Sequence, residues 1–464
     1  MRQPRDVLAD LWTRAGGAPA ALDDVRLSGA DPMLPSSFRV GTVAQTTIAA
    51  AGLAAADLWR RRTGARQTVS VDMRHAAAEF RSERYVRIPA PPGEMWDKIA
   101  GLYKTRDGRW VRIHTNFVHH RDGILALLGA EYSRESVQAK LMGWDGEAFE
   151  TAAAERNMVA TMLRSPAEWA AHPQGQSVAS LPLLEIIKIG DAPPRAFTAN
   201  GKRPLAGVRV LDLTRILAGP VAGRTLAAHG ADVLYITSPN LPSIAVIDLA
   251  RGKRPAFVDL AIADGRATLQ SLAGDADVFM QGYRPGGLAA KGFSPEAVAA
   301  ASPGIVYVTL SAYSHLGPWS GRRGFDSMTQ NANGINVAEA EALAGGGAWD
   351  RPRELPCQAL DHGAGHLLAF GAMTALARQR TEGGSWMVRT SLAQVGEWVK
   401  SLGRVQGGHA CPDPSLDDIK DLLETTPSGY GEMRAVRHAA QLSATPARYE
   451  LPSMPLGSYP AAWA

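Results

Sequence analysis

Cysteine is nearly absent from this 464-residue sequence: only Cys357 and Cys411 occur, and neither stands in a CxxC or Cys/His spacing. That argues against a disulfide framework or a structural zinc site, so no metal ligands are expected. A surplus of charge is also missing. Forty-nine Lys and Arg against 45 Asp and Glu leave a net +4, too little for a dedicated nucleic-acid binder. No long apolar run is present either. The most apolar stretch, 46–59, is alanine-rich, ends in Arg60-Arg61-Arg62 and falls short of the roughly 18 residues that span a bilayer. Met1-Arg2-Gln3-Pro4-Arg5-Asp6 leads into a mixed helical pattern instead of a signal-peptide core, and a cytoplasmic location is the expectation. Neither GxGxxG, a Walker sequence nor a GxSxG elbow occurs, which disfavours NAD binding, P-loop chemistry and a serine hydrolase.

What is there is an alternation of short apolar runs and helical patterns. Downstream of a turn-rich linker at 182–204, the runs 208–213, 231–236, 256–260, 277–281, 305–310 and 386–392 read as strands, with helices at 221–229, 264–273, 295–301 and 362–380. The expected fold class is α/β, with a parallel nucleotide-binding sheet of Rossmann-like type and a smaller α+β domain. The smaller domain is read upstream, from a hairpin over 102–113 with Asp107-Gly108 at its turn and helices at 122–128 and 145–163. The segments divide as 1–200, 201–400 and an irregular extension, 401–464. The helix ending at Thr63 resembles the helix ending at Thr381 at an offset of 318, the difference between 381 and 63, which sets Val43 opposite Asp361.

Doubly wound sheets bind ligands at the carboxyl ends of their strands, where this sequence places Arg215, then Arg251, Lys253 and Arg254, then Arg284, then Arg322 and Arg323. Guanidinium and ammonium groups on one rim suit phosphate; each alone also reads as a solvated charge. Asp361 stands just before the helix expected from His362. There it is either an N-cap or a carboxylate held ionised by the helix dipole and able to attack an activated acyl group. The turn Gly345-Gly346-Gly347 reads as a flexible loop or a mobile cover.

Several segments resemble the family III CoA-transferases. They are Leu205 to Arg215, Leu217-Ala218-Gly219-Pro220, Gly230-Ala231-Asp232-Val233, Arg251 to Arg254, Tyr283-Arg284-Pro285-Gly286, Gly324-Phe325-Asp326 and Asp361 through Gly365. The resemblance implies that Asp361 is the catalytic aspartate, carrying CoA as an aspartyl thioester from an acyl-CoA to a carboxylic acid. It implies CoA contacts at Arg215, Ile216, Leu217, Gly282, Tyr283 and Arg323, beside the rim residues Lys253 and Arg284, and an acid, Asp326, beside the reacting carboxyl group. His362 joins Asp326 as a substrate-side candidate. No resident cofactor is implied, since CoA is substrate, and a homodimer is expected. The order of parts is a rearranged or fused version of the family's, because 1–200, with its hairpin and Ala167-Glu168-Trp169, resembles the family's second half yet comes first. Tyr235 and Thr237 stand where the family has a basic and an acidic residue. A 2-methylacyl-CoA epimerase is the first alternative; its histidine falls at Phe325, so His362 or His315 would have to serve. A non-catalytic CoA-binding partner subunit is the second.

Overall fold

The computed structural model describes residues 2–90, 93, 96–197, 201–241 and 245–464, so residues 198–200 of the expected linker lie outside the described residues. A seven-stranded sheet organises the chain. In sequence order its strands are β1 (Glu185–Gly190), β2 (Arg209–Leu213), β3 (Asp232–Thr237), β4 (Lys253–Phe257), β5 (Val278–Gln281), β6 (Val306–Ser311) and β7 (Ser385–Ser391). In space they run β1-β7-β6-β5-β2-β3-β4, and every pairing is parallel except that of β1 with β7. Strands buried on both faces need apolar side chains on both. Val210, Val233, Val278 and Val306 accordingly join the core on one face, and Leu211, Leu234, Phe279 and Tyr307 the core on the other.

Two expectations change at the edge of this sheet. Residues 185–190, expected within a linker, form β1 and close the sheet beside β7, so the upstream segment contributes a strand to the downstream one. The turn-rich stretch expected over 314–353 contains two helices, Asp326–Ala332 and Ile335–Ala344, with Gly345 capping the second at φ 59°. The first shows no amphipathic period because all seven of its residues are buried.

Four helices position the site: α1 (Val40–Thr63), α2 (Ala218–Ala228), α3 (Asp326–Ala332) and α4 (Ala359–Glu382). Both α1 and α4 run 24 residues and end at a glycine of positive φ, Gly64 at 78° and Gly383 at 70°. A side chain at Gly52 would meet Val69 Cγ1, and one at Gly371 would meet Val388 Cγ1, the same close approach of helix to strand in each half. Beyond each strand, Asp72 and Ser391 cap the next helix by accepting from His75 N and Gln394 N. All these pairs share an offset of 319, the difference between 371 and 52, not 318. The residue opposite Asp361 is therefore Thr42, correcting the expected Val43. Its N–H and Oγ1 bond to Asp31, at 3.2 and 2.5 Å.

The smaller α+β unit has a three-stranded antiparallel sheet, Gly101–Lys104, Trp110–Ile113 and Ala160–Met162. Its third strand and the helix Gly146–Glu155 replace the single helix expected over 145–163. It docks on α3, where Asn331 Nδ2 donates to Thr161 O at 2.9 Å. The extension after 401 is not wholly irregular. It forms a hairpin, Leu423–Ser428 with Gly431–Val436, and Gln441–Leu442 pairs with Val69–Asp72. Among the described residues no helix is long and apolar enough to cross a membrane.

Candidate active site

At the centre of the sheet β2 and β5 lie side by side, with Leu213 opposite Gln281, and their following connections leave in opposite directions. That is the crevice where a doubly wound sheet admits a ligand. The loops 214–217 and 282–284 meet there, and the Arg215 guanidinium lies 5.8 Å from the centre of the Tyr283 ring. Ile216 takes φ 76°, a conformation that costs a β-branched side chain energy and that is held here by the loop into α2.

Beside these loops a cleft of about 640 Å³, its open mouth included, is lined by Ile216, Leu217, Phe325, Asp326, Gln358 and Asp361, among others. Helix α4 starts at Ala359 with Gln358 as its N-cap residue, so Asp361 lies within the first turn, not just before a helix at His362. Asp361 is 8% exposed and faces the cleft. The expectation that the helix start keeps it ionised is overturned. The N–H groups of Leu360 and Asp361 donate to Asp326 Oδ2, at 2.8 and 3.0 Å, and so do not serve the Asp361 carboxylate. Burial, with the negative charges of Asp326 and then Glu83, raises the Asp361 pKa well above the ordinary carboxylate range. Burial likewise lifts Asp326 to about 6, although the two backbone N–H groups and the Gln330 amide oppose the rise. The two acids are thus different in kind. Asp326 is anchored on all sides, while among the described residues no hydrogen bond holds the Asp361 carboxyl oxygens.

Glu83 reaches the same cleft from the upstream half. Burial works against its charge, and the His362 hydrogen bond, with Arg84, prevails and holds its pKa below the usual value. His362, a substrate-side candidate, does not line the cleft; it is fully buried, 3.0 Å from Glu83 Oε2 and stacked on Phe80. Gln358 accepts from Arg84 Nη2 through Oε1 at 3.0 Å. With its oxygen pinned, the amide nitrogen is left as a donor at the cleft wall.

The rim cations divide. Arg284 and Arg215 both depress the ionisation of Arg323, after burial, so the three are gathered at one mouth. Arg323 Nη1 stands 3.1 Å from His120 Nε2, and Arg284 Nη1 donates to Asn157 Oδ1 at 2.6 Å. Lys253, Arg251 and Arg254 are not rim cations. Lys253 is fully buried and donates to Asp212 Oδ2 and Pro220 O, both at 2.9 Å; Arg251 is paired with Asp248 and Arg254 with Asp232. Their apparent clustering came from adjacency in sequence, whereas the strand sends them to three carboxylates. Arg322 is turned to the Trp319 ring, 4.3 Å from its centre. Lys253→Met leaves the Asp212 carboxylate buried without its cation and is expected to cost about 3–5 kcal/mol of stability in urea unfolding. A loss below about 1 kcal/mol would mean that Asp212 finds water or another partner.

Sequence reasoning missed Glu83, Gln358 and the histidines of the small unit. His114 lines the cleft, stacks on Phe325 at 3.8 Å, and burial, with Arg112, drives its pKa down to about 3. His119 and His120 stand at the arginine mouth. The run His114 to His120, three histidines in seven residues, was the available signal. His315 lies in a separate cavity, 3.9 Å from Glu185.

The model described as CoA-transferase family III matches residues 205–407. Acetyl-coenzyme A transferase nodX of Hypoxylon pulicicidum is 31% identical over 331 residues, covering 66% of this chain and 55% of that protein. An acyl-CoA transferase of Gibberella moniliformis is 26% identical, covering 80% of this chain and 73% of that one. A crystal structure of a hypothetical protein from Mycobacterium tuberculosis is 29% identical, with a TM-score of 0.39, covering 44% of this chain and 58% of that one. The chain thus spans little more than half the length of the Hypoxylon relative. Residues 205–407, which carry six of the seven strands, the arginine mouth and Asp361, match CoA-transferase family III.

Proposed function

We propose that the protein moves CoA from an acyl-CoA to a carboxylic acid through covalent intermediates on Asp361. The observation that carries this reading is the contrast between two neighbouring acids: Asp326 is held by three donors, while Asp361 presents a carboxylate to the cleft. In the first step an Asp361 oxygen attacks the thioester carbonyl, the C–S bond breaks and CoA leaves as thiolate. The thiolate then attacks the aspartyl carbonyl of the mixed anhydride, forming an aspartyl-CoA thioester and releasing the donor acid as carboxylate. The acceptor carboxylate reverses both steps, and no proton is gained or lost overall. Gln358 Nε2 donates to the oxyanion of the tetrahedral intermediates, a role the Leu360 and Asp361 N–H groups cannot fill because Asp326 occupies them. Arg215, Arg284 and Arg323 receive the phosphates of CoA: three gathered guanidinium groups relieve their mutual repulsion when a polyanion binds.

Intact-protein mass spectrometry with a panel of acyl-CoAs tests the reading. A CoA adduct on the protein, discharged by hydroxylamine, is the expected result; no adduct from any donor, with CoA still bound, refutes it. A pH dependence follows as well. Only the ionised carboxylate attacks, so kcat/KM for the acyl-CoA is expected to rise with pH along a limb set by the raised Asp361 pKa. Glu83→Gln removes one of the negative charges that raise it and is expected to move that limb to lower pH. An unmoved limb would take Glu83 out of the account.

One observation favours a second reading. His114 is stacked on Phe325 and shares the cleft with Asp361, so an imidazole and a carboxyl group face one cavity, as an epimerase of 2-methylacyl-CoA requires. His362 and His315, the histidines this alternative first depended on, are turned to Glu83 and toward Glu185. Deuterium wash-in at the α-carbon of a 2-methylacyl-CoA, lost in His114→Ala, would establish it.

A further inference from the structure

We propose that the acyl groups handled at Asp361 are uncharged monoacyl groups with an apolar tail, and that acyl groups bearing a second carboxylate are rejected; this rests on the transferase reading above. An acyl group bonded to Asp361 has to occupy the cleft that Asp361 lines. Among the described residues, the charged side chains of that cleft are Glu83, Asp326 and Asp361, and neither Lys nor Arg lines it. In sequence, neither 91–95, Pro-Pro-Gly-Glu-Met, nor 242–244, Pro-Ser-Ile, contains Lys or Arg. Arg84, behind the wall, is taken by Pro356 O and Gln358 Oε1, and Arg215 is turned to the Tyr283 ring.

A distal carboxylate entering this space loses its water and meets Glu83 and Asp326 instead of a cation, Asp361 itself being uncharged once it is acylated. Like charges brought together in this way cost several kcal/mol, which converts to more than about 100-fold in selectivity. The rest of the wall suits hydrocarbon. Trp96, 41% exposed, stands edge-on to His114, and the His114–Phe325 stack, Leu217 and Ile216 continue the apolar surface. Burial that keeps His114 neutral leaves that wall without a positive charge. The remaining polar groups, Asn116, Ser327 and Gln358, carry no charge and can orient a carbonyl without neutralising a carboxylate.

The test uses the full chain and donors matched in length: butyryl-CoA and valeryl-CoA against succinyl-CoA and glutaryl-CoA. Two quantities are read, kcat/KM for transfer and the CoA adduct by intact mass. The monoacyl donors are expected to exceed the dicarboxylic ones by at least about 100-fold in kcat/KM. Trp96→Arg, which puts a cation at the exposed cleft wall, is expected to narrow that ratio at least tenfold by raising the rate with succinyl-CoA. Succinyl-CoA within tenfold of the best monoacyl donor in the unaltered protein, with an adduct formed, overturns the substrate class and leaves the transferase reading standing. No adduct from any of the four donors overturns both.

Discussion

Asp361→Ala is expected to lower CoA transfer by roughly 10⁴- to 10⁶-fold, the scale of loss when a covalent nucleophile is deleted, and to abolish the adduct. Its effect on stability separates this role from a structural one. The folded-state pKa of Asp361 lies above its unfolded value. A group shifted in that direction contributes stability below the unfolded pKa, and the contribution is lost as pH rises through the folded value. At neutral pH an ionised Asp361 is therefore a burden on the fold, and Asp361→Asn, which keeps the shape and removes the charge, should unfold at the same temperature as the native chain or higher. An acid that only capped α4 would behave in the opposite way, since removing a cap costs about 1 kcal/mol. Here the capping is done by Asp326, whose loss frees the N–H groups of Leu360 and Asp361 and should lower stability as well as activity. Loss of transfer with retained or increased stability in Asp361→Asn assigns the carboxylate to chemistry. Transfer within tenfold of the native rate removes it as nucleophile.

The parts of this fold that were legible in the sequence are those in which one physical rule dominates. Strands β2, β3, β5 and β6 are covered on both faces, so their apolar runs have no competing explanation, and alternation with helices implied their parallel pairing, though not their order in space. Asp361 was legible as a residue, but its electrostatics were not. The helix dipole is a local effect readable from sequence, whereas Asp326, 35 positions earlier, and Glu83, 278 positions earlier, reach it only through the fold. Lys253 shows the same limit. A lysine between Arg251 and Arg254 reads as part of a basic rim, yet its partner, Asp212, lies 41 positions away inside the run Val210-Leu211-Asp212-Leu213. That aspartate in an apolar strand was itself the signal that a buried cation had to exist. Helix α3 was hidden because Asp326 to Ala332 is buried on every face and so has no polar side to mark its period. The repeat of α1 in α4 was visible, and its register was off by one because alanine-rich helices match themselves at neighbouring offsets; the Gly52–Val69 and Gly371–Val388 contacts fix it.

Gln358→Leu is expected to lower kcat by about 10²- to 10³-fold, the loss that follows removal of one donor to a developing oxyanion, equivalent to about 2.7–4 kcal/mol. Acyl-CoA affinity should change little, because the interaction strengthens only as the carbonyl oxygen gains charge. The geometry makes the amide a prepared donor. Arg84 fixes Oε1 at 3.0 Å and is itself fixed by Pro356 O at 2.8 Å, so Nε2 is set before the substrate arrives. Arg84→Met removes that anchor while keeping the donor, and an intermediate fall in kcat is expected from an amide that must be ordered during the reaction. Gln358→Glu retains the contact with Arg84, replaces the donor by an acceptor and adds a fourth acid to the cleft. It should lose at least as much as leucine and move the acid limb of the pH profile upward. A graded series, with the native chain above Arg84→Met and both above Gln358→Leu and Gln358→Glu, is what oxyanion stabilisation through a neutral, preorganised amide requires. A leucine variant within about threefold of the native kcat would show that the oxyanion is held by another group in the cleft, of which Ser327 and Asn116 are the uncharged donors on the same wall.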